Sequence, residues 1–402
     1  MSPTKRPSAT STAAAPPPEA AHTPTFLDVD ALIADQRVRI AVVCGAGGVG
    51  KTTSAAALAL RAAEAGRKVV VLTIDPARRL AQSLGVAELD NTPRPVLGLD
   101  TGNGNGNGNG GSLDAMMLDM KRTFDEVVLA HSTPETAGSI LENPFYVALS
   151  SQFAGTQEYM AMEKLGQLHA EAVETGSWDL IVVDTPPARS ALDFLDAPEH
   201  LSSLLDGRFL KVLLAGARGP FRLVSVGFNL VAGALNKILG GRLLTDLQTF
   251  IAAFEAIFGG FRQRANQTFQ LLASPQTTFL VVATPQRDAL REAAYFVDRL
   301  SEEGMPLAGV VVNRVNRSTL DTSAERSLAL AEDLDPDTFS VEIQALRQHA
   351  DLVRVIENEQ LLLERFAARR TSVALTLVTA LPGDVTDVGS LRRVGALLAT
   401  ED

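Results

Sequence analysis

A doubly wound, mainly parallel α/β sheet with an inserted helical subdomain is the fold class this sequence predicts, on three observations. Near-continuous apolar runs recur along the chain, each closed by a polar turn and followed by a helix-favouring segment, as in parallel sheets covered on both faces. A turn crowded with glycines joins the first of those runs to an alanine-rich segment. Over 196–275 the rhythm breaks, and Leu, Phe, Ala and Gly recur at helical spacing without a β-branched run. A chain of 402 residues, 46% hydrophobic, has material for the core of one large α/β domain or two ordinary ones.

The elements follow in order. Residues 1–25 carry Pro, Ser, Thr and Ala with no apolar h-region, which predicts a disordered tail and not a signal peptide. The first part of the core spans 26–195. Its first strand is RVRIAVVC (37–44), apolar enough for burial on both faces. TTSAAALALRAAEAG (52–66) predicts a helix, with Gly66 suited to its C-terminal cap, and KVVVLTID (68–75) a second buried strand. Together these make a βαβ unit. GNGNGNGNGG (102–111) cannot pack and predicts a flexible surface loop, a variation in length between two elements. LDAMMLDM (113–120) resumes as a strand, and WDLIVVDTPP (178–187) supplies another. The helical insertion, 196–275, is more apolar than a surface helix needs to be. Helices that cover the sheet or pack on each other account for that, and so does a groove for an apolar ligand or obligate partner. The second part of the core, 276–402, holds TTFLVVATP (277–285), LAGVVVNRV (307–315) and ALTLVTALP (374–382), and ends in a sheet-covering helix within LRRVGALLATED.

The glycine turn carries the chemistry. Gly45 to Thr52 fits G-x-x-x-x-G-K-[ST], and it lies after a strand and before a helix, the context that makes the pattern a phosphate-binding loop. Glycines at 45, 47, 48 and 50 let successive backbone N–H groups, with that of Val49, converge on phosphate oxygens, and the following helix adds its positive end. Lys51 is expected to reach the β- and γ-phosphates of ATP, and the Thr52 hydroxyl to ligate Mg²⁺. Thr53 either assists near the α-phosphate or simply continues the helix. Asp184 closes an apolar strand and is expected to complete the Mg²⁺ site, through water. Asp75 closes another, at the edge where open α/β sheets gather ligands. It orients or deprotonates the attacking water beside the metal, or it merely initiates a turn before Pro76.

Composition excludes several classes. A net charge of −11 opposes a nucleic-acid partner. The lone Cys44 rules out an intrachain disulfide and a Cys-only metal site within one chain, which fits a reducing cytoplasm. His22, His131, His169, His200 and His349 lie scattered without metal spacing. The apolar stretch 223–235 is shorter than the roughly 18–20 residues that cross a bilayer, and a cytoplasmic, soluble protein is expected.

GGVGKTT (47–53), TIDPA (73–77), DTPP (184–187) and VVVNR (310–314), in this order and spacing, resemble the ArsA-like, anion-transporting (arsenite-pump) ATPase family of P-loop NTPases. Its relatives include the targeting ATPase for tail-anchored membrane proteins and, more remotely, MinD-type partition ATPases and the nitrogenase iron protein. The resemblance covers about residues 36–400. It implies that Asp75 lies in a first switch as the hydrolytic acid, and that Asp184 begins a second switch reporting the γ-phosphate. It also implies that Asn313 reads adenine, that 381–385, with Pro382 and Asp384, closes over the base, and that 196–275 is a client-binding or regulatory subdomain for apolar segments or membrane proteins. A homodimer or a heterodimer with a paralogue is implied as the working unit.

Three departures from that family stand out. Its loop usually carries a signature lysine where this chain has Ala46, a charge expected to reach the partner's nucleotide; Arg78, Arg79 and Arg189, beside the switch motifs, are candidate replacements. Cys44 alone cannot reproduce several arsenic-binding thiolates. The zinc-holding CxxC pair of the targeting relatives is absent, and so are the cysteines of a bridged iron–sulfur cluster. The leading expectation is a Mg²⁺-dependent ATPase that couples hydrolysis to conformational change and to a client. The alternatives are an ATP-stabilised client-binding module with little turnover, or a MinD-like partition ATPase.

Overall fold

A computed structural model describes residues 25–75, 79–100, 110–143, 146–147, 150, 156–186, 260 and 263–400. The chain enters through α1 (Val29–Ala34), β1 (Ile40–Gly45), α2 (Lys51–Glu64), β2 (Lys68–Thr73), α3 (Arg79–Ser83), β3 (Arg94–Pro95), β4 (Ser112–Met117), α4 (Met120–Ala130), α5 (Pro134–Leu141), α6 (Thr156–Thr175) and β5 (Leu180–Asp184). It continues through a helical stretch at 263–272 to β6 (Thr277–Ala283), α7 (Arg287–Glu302), β7 (Leu307–Val315), α8 (Ala324–Asp333), α9 (Ser340–Arg369), β8 (Leu375–Thr379) and α10 (Val388–Leu398).

The strands form one eight-stranded sheet in the order β3-β4-β2-β5-β1-β6-β7-β8. All neighbours pair in parallel except β3, which runs antiparallel to β4 at the edge. The apolar runs of the sequence are buried on both faces, β1 and β6 along their whole lengths. On one face Ala41, Val43, Val69, Val71, Val182 and Val282 pack under α2 and α10. On the other, Val42, Leu72, Val183 and Val281 meet side chains of α4, α6, α7 and the 263–272 stretch, which sinks Ala265 and Leu272 into this core. α10 is thus the expected sheet-covering helix, burying Leu391, Val394 and Leu398.

Boundaries shift where local chemistry competes with the apolar pattern. The run expected as strand through 120 stops at Met117, because the Asp119 carboxylate accepts from the Arg122 amide and caps α4. Gly66 does take the left-handed backbone just past α2, at φ +104°. Most of the expected insertion and most of the 102–111 loop fall outside the described residues, as do Arg78 and Arg189. Among the described residues no helix is long and apolar enough to cross a membrane.

β1 is the switch point: the next strand in sequence, β2, lies beyond β5 on one side, while β6 lies on the other. At the opposite edge of the sheet Arg67, 3% exposed, anchors the start of β2. Its guanidinium donates to the carbonyls of Ile33 at 2.8 Å and Val38 at 2.9 Å and pairs with Asp179. Arg67→Met leaves those acceptors unpaired and is expected to lower unfolding free energy by about 3 kcal/mol, read as a reduced midpoint in urea.

Candidate nucleotide site

Strand ends at the carboxyl edge of the sheet converge on one cleft of about 1070 Å³. β1 delivers the loop through Gly45, where a Cβ would lie 2.2 Å from the Val282 carbonyl oxygen of the neighbouring strand. Gly50, at φ +100°, opens α2, and a Cβ there would sit 2.2 Å from the Asn313 amide nitrogen. Gly48, at φ +76°, faces open space. The loop is therefore clasped from behind and open in front, a cradle that only small side chains permit.

α2 begins with two of the candidate residues, Lys51 and Thr52. Lys51 is 7% exposed, and its Nζ donates to the Ala46 carbonyl at 2.8 Å, so the loop is closed on its own ammonium. Burial holds the Lys51 pKa below its ordinary value, with Asp184 the strongest charge pulling the other way. The Thr52 hydroxyl donates to Asp184 Oδ2 at 2.8 Å, and so does the Thr73 hydroxyl at 2.8 Å. That meeting is built by register. Thr73 and Asp184 are paired across β2 and β5, and both point to the face that α2 covers.

Asp184 is fully buried, and burial pushes its carboxyl up to about 6 although both hydroxyls pull it down. Its Oδ1 is buried with no hydrogen-bond partner. A buried carboxylate oxygen left open beside a threonine hydroxyl is an all-oxygen donor set of the kind that suits a hard divalent cation. The residues present therefore fit Mg²⁺.

Of the candidate residues, Gly47, Gly48, Gly50, Lys51, Thr52, Thr53, Asp75, Asn313, Pro382 and Asp384 line this one cleft. Gly45, Val49 and Asp184 do not line it; Val49 lines a neighbouring pocket, and its carbonyl accepts from Asn313 Nδ2 at 2.8 Å. Asp75 follows β2, with Arg79 on the same wall. Ala46, where the resemblance anticipates a lysine, is buried in the apolar cluster under α2. Cys44 lies beneath the loop, its thiol pushed up to about 12 by burial.

Sequence reasoning missed three participants. Thr73 stands in the sequence as a strand residue at the head of TIDPA with no role of its own, yet it shares the Asp184 carboxylate with Thr52. Arg314 enters the sequence analysis only as the end of VVVNR, yet its Nη1 donates to the Gly48 carbonyl at 3.1 Å. Glu359, buried on α9, accepts from the Asn316 amide N–H at 2.9 Å and from Asn316 Nδ2 at 2.7 Å, and so ties the turn after β7 to the long helix. The VVVNR motif was the available signal for Arg314; nothing local marked Glu359.

Known proteins resemble this chain in sequence. The model of the anion-transporting ATPase family matches residues 38–329. The ATPase GET3 of Blastomyces gilchristii is 24% identical over 300 residues, covering 74% of this chain and 79% of that protein. The ATPase GET3 of Candida glabrata is 25% identical over 284 residues, 68% and 71% of the two chains. An ATPase ASNA1 homolog of Cryptosporidium parvum is 29% identical over 274 residues, 68% and 64%.

Two measurements check the loop. Gly50→Ala is expected to destabilise the protein by more than about 1 kcal/mol through its positive φ alone. Because the new methyl meets Asn313, a double-mutant cycle with Asn313→Ala should return a coupling of about 1 kcal/mol or more in urea unfolding; additive effects would show that the two positions do not touch. Cys44, protonated at pH 8 and enclosed, should resist a maleimide in the native protein and react once guanidinium unfolds it.

Proposed function

The chain belongs to the anion-transporting ATPase family and is an ATPase, and on that premise we propose that it is a Mg²⁺-dependent nucleotide switch whose hydrolysis of ATP drives a client-binding cycle. The observation that carries this reading is the contact of the Thr52 hydroxyl, which lines the cleft, with the buried, half-satisfied Asp184 carboxylate.

On binding ATP, Lys51 exchanges the Ala46 carbonyl for phosphate oxygens, and the loop amides take the rest. Thr52 through its hydroxyl and Asp184 through its open oxygen would hold a magnesium ion, while Asp184 keeps the bond it accepts from Thr73. Magnesium held there would supply charge neutralisation to the polyphosphate. Asp75 holds and deprotonates the attacking water, giving ADP and phosphate. Asn313 braces the loop, and Pro382 and Asp384 stand where the base end of the nucleotide would lie.

Chain connectivity supports the coupling. Asp184 is the last residue of β5, its carbonyl accepts from the Ile74 amide at 3.0 Å beside Asp75, and the chain runs from Thr185 and Pro186 towards 196–275. A shift at Asp184 is thereby felt by both segments flanking the cleft. The family resemblance assigns 196–275 to an apolar or membrane-protein client, and a pair of chains as the working unit.

Steady-state turnover with Mg²⁺ tests the core of this reading. Asp75→Asn should retain ATP binding and lose about 10²- to 10⁴-fold in kcat, whereas Lys51→Ala should lose both. Wild-type hydrolysis no faster than that of Lys51→Ala would leave an ATP-stabilised binding module instead.

A further inference from the structure

The two sides of the loop backbone at 46–50 fare differently. On the carbonyl side, Ala46 accepts from Lys51 Nζ at 2.8 Å, Gly48 from Arg314 Nη1 at 3.1 Å, Val49 from Asn313 Nδ2 at 2.8 Å and Gly50 from the Ser54 amide at 2.8 Å. On the amide side, none of the N–H groups of 46–50 donates to a backbone carbonyl of a described residue. The loop is fastened through its carbonyls and left open through its amides, the polarity an anion needs.

No peptide here is cis, so in each one the N–H points away from the C=O. Whatever holds the Gly48 carbonyl therefore sets the direction of the Val49 N–H, and whatever holds the Val49 carbonyl sets that of the Gly50 N–H. Local sterics do not do this at Gly48, which lacks a Cβ and would bring one into open space. The holders come from β7. Asn313 pairs with Val378 and Val315 with Thr379, which leaves Arg314 as the extra residue of a bulge. Arg314 sits at φ +61°, the one non-glycine residue with positive φ among the described residues. For a long side chain this is a costly backbone, held by the Asn313 carboxamide oxygen, which accepts from the Arg314 amide at 3.0 Å. Neighbours on a regular strand point to opposite faces. The bulge suspends that rule and lets two successive side chains take two successive carbonyls of the loop. The guanidinium adds a second effect, because a charged donor on a carbonyl polarises the peptide and makes its N–H a stronger donor on the other side.

Resting on the nucleotide reading above, we propose that Arg314 is a positioning residue for the phosphate chain: through the Gly48 carbonyl it aims and polarises the Val49 N–H, while Asn313 aims the Gly50 N–H. Its strained backbone is what brings it to that carbonyl. The part of the ligand it serves is the polyphosphate, which it need not touch.

Calorimetry with Mg·ATP and with Mg·tripolyphosphate, which lacks base and ribose, tests this. Arg314→Gly suits the left-handed backbone and deletes only the side chain. It is expected to weaken both ligands by the same factor, roughly three- to thirtyfold, and to do so equally at about 0.1 M and about 0.5 M salt, where a merely distant charge would be screened. Arg314→Asn, which also tolerates this backbone, should match it. Arg314→Lys should recover most of the loss, since an ammonium can still donate to Gly48. Carbonyl-¹³C glycine with ¹⁵N-valine labelling displays only the amides of Gly–Val peptides, Gly48–Val49 among them. In wild type the Val49 amide proton should move downfield when tripolyphosphate saturates the site, and in Arg314→Gly most of that movement should be lost. Weakening of ATP alone, weakening that fades at high salt, or a Val49 amide that moves as in wild type would overturn the proposal. If wild-type protein binds neither ligand, the nucleotide reading itself falls and this inference goes with it; if wild type binds both and Arg314→Gly binds them equally well, only this inference falls.

Discussion

The buried carboxylate of Asp184 is the point on which the architecture of the site depends. Two hydroxyls converge on one of its oxygens, from the second residue of α2 and from the end of β2, and the other oxygen is left open. A buried charge is tolerated only when it is paired or hydrogen-bonded, so the position of each contributing element is constrained by the others. Moving α2 by a fraction of a helical turn would strand the carboxylate; moving β2 by one residue of register would turn Thr73 to the opposite face. The phosphate loop inherits its geometry from this junction, because Lys51 precedes Thr52 and the glycines precede both.

A second constraint comes from the other side of the loop. Gly45 is pressed against the Val282 carbonyl and Gly50 against the Asn313 amide, so β6 and β7 hold the back of the loop and leave its front to the cleft. The bulge in β7 adds Arg314 to that clasp, and Asn316 passes the connection on to Glu359 in the middle of α9. The loop is thus joined by hydrogen bonds to a 30-residue helix at the far end of the sheet. His349 extends the same attachment, with its ring nitrogens 2.9 Å from the Ser318 hydroxyl and 2.8 Å from that of Ser327 on α8. The loop and the α8–α9 pair are therefore linked by one series of hydrogen bonds.

In chain order the site mixes near and distant residues. Gly45 to Thr53 is one continuous segment from the end of β1 into α2, legible because each residue type meets a local need: no Cβ at a close approach, one ammonium, one hydroxyl. Asp75 and Asp184 were legible for another reason, since each follows an apolar run and such runs end at the ligand-gathering edge of a parallel sheet. Thr73 and Glu359 gave no comparable signal. A threonine in a strand and a glutamate in a long charged helix are ordinary residues until register and packing bring them to a partner more than forty residues away in sequence.

The sequence by itself determined the sheet, its parallel sense, the strand that carries the loop and the two acids beside it, because burial on both faces and the φ angles of a tight turn restrict residue type directly. It also put Ala46 where the resemblance anticipates a lysine, and folding does not alter that residue's identity. Tertiary structure alone decided that β5 lies between β1 and β2, so that Asp184 meets Thr52 and Thr73 together. It alone decided that a bulge turns Arg314 onto Gly48, and that Met117 ends a strand the apolar pattern would have continued. Strand order, bulges and caps depend on which distant groups compete for the same hydrogen bonds, and that competition exists only once the chain is folded.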